Sequence, residues 1–276
     1  MTERDGHQAS SGFNFFGPQY TRFGSELAVE LRREVYGEEI GQQGWRTTAE
    51  QAEIADLLGL GSDSRILDVA CGAGGPSLDL VERTGCRLVG LDVEPAGIAY
   101  AQAQASARGL ADRVTFAVLD CGGRLPFEDD TFNAVLCIDA IVHLPNRRGT
   151  LAEWARLLSR GGRLLFTDSA VLTGAVAKSE LDIRAATGSL LVVPPGFNEA
   201  AIQTAGLILR HRDDRTAAVA AIASRWHATR FRRAAVLERE EGAEWFGQRQ
   251  RFLALMAELA ESRRLSRFLY LAEKPA

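Results

Sequence analysis

Apolar and polar positions in this chain alternate between two rhythms for about a hundred residues. Short apolar runs at Arg65–Ala70, Arg87–Asp92, Val114–Leu119, Phe132–Ile138 and Arg163–Thr167 predict buried strands. The stretches between them, about Pro76–Arg83, Pro95–Arg108 and Arg148–Ser159, predict helices, the last stopped by Gly161-Gly162. Regular strand–helix alternation requires right-handed crossovers and gives a doubly wound, parallel α/β sheet. Upstream, Gly24–Val35 predicts an amphipathic helix with Leu27, Leu31 and Val35 on one face. Thr47 and Glu50 form a capping box for a helix to about Leu60. After the fifth strand the rhythm breaks. Ser169–Gly196 reads as mostly helical and apolar, ending at Pro194-Pro195. A short helix (Asn198–Ala205), a strand (Leu207–His211), two long helices (Thr216–Arg239 and Gly242–Ser262) and a closing strand (Ser266–Ala272) follow.

The turn after the first strand carries the first chemistry. In RILDVACGAGGPSLDL, Gly72, Gly74 and Gly75 allow a sharp turn and close approach to a ligand. A dinucleotide loop wants G-x-G-x-x-G; here Ser77 takes the third glycine's place. Asp68, just before the glycines, would repel a pyrophosphate and tolerate a cation such as an α-ammonium or a sulfonium. Asp92 ends the second strand, where an acid accepts hydrogen bonds from ribose hydroxyls; its other reading is an N-cap for the helix at Pro95. Asp120-Cys121 ends the third strand, with a plain turn aspartate as the alternative. Asp139 and His143 are four residues apart after the fourth strand, so a helical turn there puts both on one side.

Composition narrows the classes. The 276 residues suit one elaborated α/β domain or two small ones, and a net charge of −4 exerts no general pull on nucleic acid. MTERDGHQASSG lacks a hydrophobic signal core, and no apolar run approaches membrane-span length, so a cytoplasmic protein without membrane attachment is expected. Residues 1–12 read as a disordered tail, and Phe13 to Tyr20 as an ordered aromatic segment. Cys71, Cys86, Cys121 and Cys137 lack C-x-x-C spacing and read as reduced core residues with no metal among them.

With its acid followed by G-x-G, the chain resembles the class I S-adenosylmethionine (SAM) methyltransferases. LPFEDDTFNAV is similar to the family's segment before strand four, with Asn133 where aspartate is common. The resemblance implies a mostly parallel seven-stranded Rossmann-like sheet with a helical insertion before its last strand. It divides the chain into an N-terminal tail and lid (1–47), a SAM-binding core (48–168) and substrate-lid helices with closing strands (169–276). It also implies SAM as cofactor and S-adenosylhomocysteine as product. Within the family the motif layout is closest to phosphoethanolamine-type N-methyltransferases. Gln19-Tyr20-Thr21, then Tyr36-Gly37-Glu38-Glu39-Ile40-Gly41-Gln42-Gln43-Gly44, then Asp139 to His143-Leu144 carry that likeness. It implies a Tyr20–His143 pair closing over substrate.

The expected cofactor contacts are Asp68, Gly72, Gly74, Asp92, Val93, Asp120, Cys121, Asp139, Gln42 and Tyr36. Asp120 is implied to hold the adenine amino group. The expected catalytic residues are His143 as base, with Tyr20 and Asp139 orienting. The expected substrate contacts are Trp45, Tyr20, Ser169 and Arg184. Ser169 stands where the phosphobase enzymes have a phosphate-binding tyrosine, and RAATGSLLVVPP is apolar. The expectation is methyl transfer to a small molecule with an apolar part, at nitrogen first and otherwise at oxygen or carbon, by a monomer or homodimer. The alternatives are an NAD(P)-dependent oxidoreductase and a non-catalytic SAM-binding protein.

Overall fold

The computed structural model describes residues 16–186 and 188–276. The expectations for the 1–12 tail and for Phe13 to Phe15 fall outside them. The strands are β1 (Arg65–Val69), β2 (Arg87–Asp92), β3 (Val114–Val118), β4 (Phe132–Cys137), β5 (Leu158–Leu172), β6 (Ile208–Asp214) and β7 (Leu265–Glu273). They form one sheet in the order β3-β2-β1-β4-β5-β7-β6. β1 to β5 pair in parallel, and β7 is antiparallel to both β5 and β6. β1 and β4 are central, which explains why Ile66, Leu67, Val69 and Ala134 to Cys137 are apolar without alternation: both faces are covered.

One face packs Leu67, Val69, Phe166 and Tyr270 against Trp154 of α6 (Arg147–Leu157). The other packs Ile66, Leu165 and Leu269 against α3 (Thr48–Leu58), α4 (Gly75–Thr84) and α5 (Pro95–Ala107). Burial of each large aliphatic side chain contributes about 1.5–3 kcal/mol. The capping box forms: Thr47 Oγ1 accepts from Glu50 N at 3.1 Å, and Glu50 Oε2 accepts from Thr47 N at 2.9 Å. Asn133 keeps the acceptor role of an aspartate, taking the Arg65 N–H at 2.8 Å.

A third apolar cluster sits above the carboxyl ends of the strands. Leu31, Val35 and Tyr36 of α2 (Glu26–Tyr36) and Trp45 pack with Val219, Ile222 and Trp226 of α9 (Thr216–Phe231). Phe252 and Met256 of α11 (Ala243–Glu261) complete it. The N-terminal and post-β5 segments therefore form one cover.

Two expectations need correction. Ser169–Gly196 is not mostly helical: β5 runs on to Leu172, α7 covers only Lys178–Ala185, and Val193 bridges back to Val171. Pairing with β7 carries the chain past Ser169 as a strand, a long-range effect that local period does not report. The single helix expected over Thr216–Arg239 is two, α9 and α10 (Ala234–Glu241), turning at Arg232-Arg233. No glycine or proline marks the break; both arginines instead pair with Glu34 of α2.

Candidate active site

The site is built where the parallel strands end. Asp68, second to last in β1, is buried and accepts from the Ser77 hydroxyl at 2.5 Å. The turn then places Ala70 at φ 57°, Gly72 at φ 60° and Gly74 at φ 72°. At the end of β2, Asp92 Oδ2 accepts from Gly72 N at 2.8 Å and Oδ1 from Glu94 N at 3.0 Å. Two backbone N–H groups thus orient this carboxylate toward the mouth of the glycine turn. Next to it Val93 is 58% exposed, an apolar surface beside a polar one. Asp120 is exposed and takes the Gly122 N–H at 2.8 Å, while Cys121 is buried and points back to Leu119 O.

The cover reaches these groups directly. A Cβ on Gly72 would sit 2.7 Å from the Tyr20 hydroxyl, which α1 (Gly17–Thr21) brings down on the turn. A Cβ on Gly75 would sit 2.6 Å from Gly41 Cα, so only glycine lets the 37–47 loop lie there. Gln42 is buried within that loop, joined to Ile40 N and Glu38 O, and the Tyr36 hydroxyl donates to Gly44 O at 2.9 Å. Both residues shape the lid. Trp45 stacks on Phe252 with ring centroids 6.2 Å apart.

The four-residue spacing of Asp139 and His143 does not bring them together. Asp139 has φ 58° and is followed by a single 3-10 turn, Ile141–His143. Its carboxylate turns to the lid and the core, taking Trp45 N–H, the Thr167 hydroxyl and the Arg267 guanidinium. No hydrogen bond joins Tyr20 to His143 among the described residues. Instead His143 Nδ1 lies 2.7 Å from Ser189 O, and Phe16 meets the ring edge-on at 5.9 Å. Since a carbonyl only accepts, Nδ1 carries the hydrogen and Nε2 keeps its lone pair. Burial, with the Arg184 charge adding to it, brings the imidazole down to about 4. Arg184 is buried with its guanidinium 5.6 Å from the Phe252 ring, and the buried Ser169 hydroxyl has no hydrogen-bond partner among the described residues.

One residue escaped the sequence reading. Arg46 is 8% exposed, and its Nε and Nη1 make no hydrogen bond among the described residues. Burial lowers its pKa; of the charges opposing that, Asp68 is foremost. Nothing in a lone arginine after a lid tryptophan advertised this.

Residues 66–162 match a family model described as "Methyltransferase domain". Methyltransferase GfsG of Streptomyces halstedii is 34% identical over 119 residues, which is 43% of this chain and 42% of that protein. Residues 66–162 form a methyltransferase domain. The chain thus spans less than half the length of this curated relative. The 27-O-demethylrifamycin SV methyltransferase of Amycolatopsis mediterranei is 26% identical over 67% of this chain and 72% of its own. Phosphoethanolamine N-methyltransferase 2 of Haemonchus contortus, solved with S-adenosyl-L-methionine, superposes with a TM-score of 0.78 at 18% identity. That match covers 96% of this chain and 61% of the other, and at this identity it is a likeness of fold. The methyltransferase domain spans β1 to the start of β5, and so contains the glycine turn, Asp92, Asp120 and His143. The lid, with Tyr20, Trp45 and Arg46, lies outside it.

The site fits SAM. Asp92 suits ribose hydroxyls, Val93 an adenine face, Asp68 the ammonium, and the two orphaned donors of Arg46 a carboxylate. Asp68 makes this testable. Burial raises its carboxyl to about 6, against the Ser77 hydrogen bond and Arg46, which lower it. A carboxyl raised from 3.8 to about 6 stays protonated in the folded chain between those values. This group therefore adds stability to the unliganded protein as pH falls from 6 toward 4. Ligand binding has the opposite sign, because a cation prefers the ionised form. The dissociation constant for SAM is expected to be flat above pH 7 and to rise about tenfold per unit below pH 6. Titration calorimetry from pH 5 to 8 checks it, and a flat profile throughout would remove Asp68 from the contact.

Proposed function

We propose that the chain is a SAM-dependent methyltransferase acting on a small molecule with an apolar part, at nitrogen in preference to oxygen or carbon. The observation that carries the reading is the charge set at the strand ends. Asp68, Asp92, Asp139 and Glu50 stand against Arg46 and Arg267, all with buried side chains, for a formal sum of −2. SAM, with one carboxylate, one ammonium and one sulfonium, carries +1. A dinucleotide, with its anionic pyrophosphate, has the wrong sign for this pocket.

SAM supplies an electrophilic methyl group on sulfur. What the chain supplies is alignment and dryness. The 37–47 loop and α1 close over the glycine turn and exclude water, and such positioning is worth roughly 7–11 kcal/mol in favourable cases. Trp45, Phe252 and Phe16 give an apolar wall for the acceptor, and His143 Nε2 gives one hydrogen-bond acceptor. With its pKa near 4, His143 is neutral at pH 7 and a weak base. It deprotonates an alcohol poorly but suits an amine that arrives neutral and needs one N–H held. Arg184 and Ser169 are the polar groups proposed to read the rest of the acceptor.

Two measurements test this. S-Adenosylhomocysteine is expected to raise Tm and NAD(H) is not; the reverse result refutes the proposal. His143→Gln is expected to lower kcat about 5- to 30-fold, well short of the 10²–10⁴ that general base loss brings. It leaves a pH profile without a limb near 6.5, and a 10³-fold loss would make His143 the base after all.

A further inference from the structure

Arg46 comes from a loop, yet its backbone is held more firmly than a loop requires. The peptide N–H before it, from Trp45, donates to Asp139 Oδ2 at 2.9 Å. The N–H after it, from Thr47, donates to Glu50 Oε2 at 2.9 Å. The two carboxylates that take these hydrogens come from different parts of the fold, the end of β4 and the first turn of α3. Both are joined by one side chain. Arg267, in the last strand and fully buried, donates from Nε to Asp139 Oδ1 at 2.6 Å and from Nη1 to Glu50 Oε1 at 2.6 Å. Thr167 adds a hydroxyl to the same Asp139 oxygen at 2.9 Å. Gly44 completes the fit, for a Cβ there would meet Asp139 Oδ2 at 3.0 Å.

We infer that Arg267 is a positioning residue of the cofactor site: through Asp139 and Glu50 it clamps the peptide N–H groups on both sides of Arg46, and so aims that guanidinium at the ligand's carboxylate. The inference rests on the reading of Arg46 given above. Its physical basis is the cost of leaving a buried arginine unpaired. Arg267 is ion-paired to both carboxylates, which fixes their spacing, and each then has an oxygen left for one lid N–H. Closure of the 37–47 loop is thereby registered against β4, β7 and α3 together. Asp139 contributes as the hinge of this clamp.

The experiment compares two ligands on the full chain. S-Adenosylhomocysteine has the amino-acid carboxylate; 5′-methylthioadenosine lacks it. Arg46→Gln and Arg267→Gln are each expected to raise the dissociation constant of S-adenosylhomocysteine at least tenfold. Both should leave that of 5′-methylthioadenosine within about twofold. The double variant is expected to bind no more weakly than Arg46→Gln alone, because Arg267 acts through Arg46. Amide exchange at Trp45 and Thr47 is expected to quicken in Arg267→Gln. Equal weakening of both ligands, or multiplying losses in the double variant, overturns the inference. So does unchanged S-adenosylhomocysteine binding in Arg46→Gln, which leaves the methyltransferase reading intact. A wild-type chain that binds neither ligand refutes that reading itself. Should Arg267→Gln not fold, Glu50→Gln releases only the Thr47 arm and is expected to weaken S-adenosylhomocysteine alone, about threefold. Loss of neither ligand, or of both alike, in that variant counts against the clamp.

Discussion

Asp92→Ala is expected to raise the dissociation constant of S-adenosylhomocysteine by about 100- to 1,000-fold. Hydrogen bonds to a charged group contribute about 1.5–3 kcal/mol each. Loss of two ribose hydroxyl contacts, taken at the lower end of that range because water replaces them at an open site mouth, therefore costs about 3–4 kcal/mol, and every 1.4 kcal/mol is tenfold in affinity. The carboxylate also holds Gly72 N–H at 2.8 Å, so its removal loosens the turn itself. Asp92→Asn keeps the shape and one acceptor oxygen and is expected to lose about tenfold. His143→Gln, which touches only the acceptor side, should leave this affinity within about threefold. Titration calorimetry on the three variants decides the division of labour between the two strand ends. A His143→Gln loss as large as that of Asp92→Ala would collapse it.

Gly75→Ala carries the second large effect, and its cause is steric. The new Cβ would lie 2.6 Å from Gly41 Cα and closer still to Ile40 O. These are backbone atoms and cannot swing aside. The 37–47 loop must lift by about 1 Å, a misplacement that can cost about 10²-fold in rate. We expect kcat/KM to fall about 100-fold and the fold to lose about 1–3 kcal/mol to overpacking. Gly61→Ala is the control, since a Cβ there meets no atom within 4 Å. Wild-type kinetics in Gly75→Ala would show that the loop does not close on the glycine turn during turnover.

The core was legible because its signals are local. Central parallel strands are apolar on both faces, so Ile66, Leu67 and Val69 announce β1 without any knowledge of their neighbours. The Thr47–Glu50 capping box is likewise a four-residue event. The lid was not legible to the same degree. Ser169 sits in a strand because β7, a hundred residues downstream, pairs with β5. The α9–α10 turn meets Glu34 on α2. His143 and Asp139 diverge because one residue takes a left-handed conformation, which an aspartate adopts without announcing it.

The sequence alone determined the alternating α/β core, the glycine turn, and the acids that end β1, β2, β3 and β4. Strand ends and turn residues follow from composition over a few positions, and the ligand-facing edge of such a sheet follows from its topology. The use to which each acid is put came from packing across the chain. Asp92 faces the glycine turn, whereas Asp139 serves the lid, because Arg267 arrives from the last strand and needs two carboxylates once it is buried. The proposed role of Arg46 arises the same way. Its neighbours in sequence mark it as loop; the removal of water from its guanidinium, with Asp68 the foremost charge opposing the effect, is what supports proposing it as a ligand group.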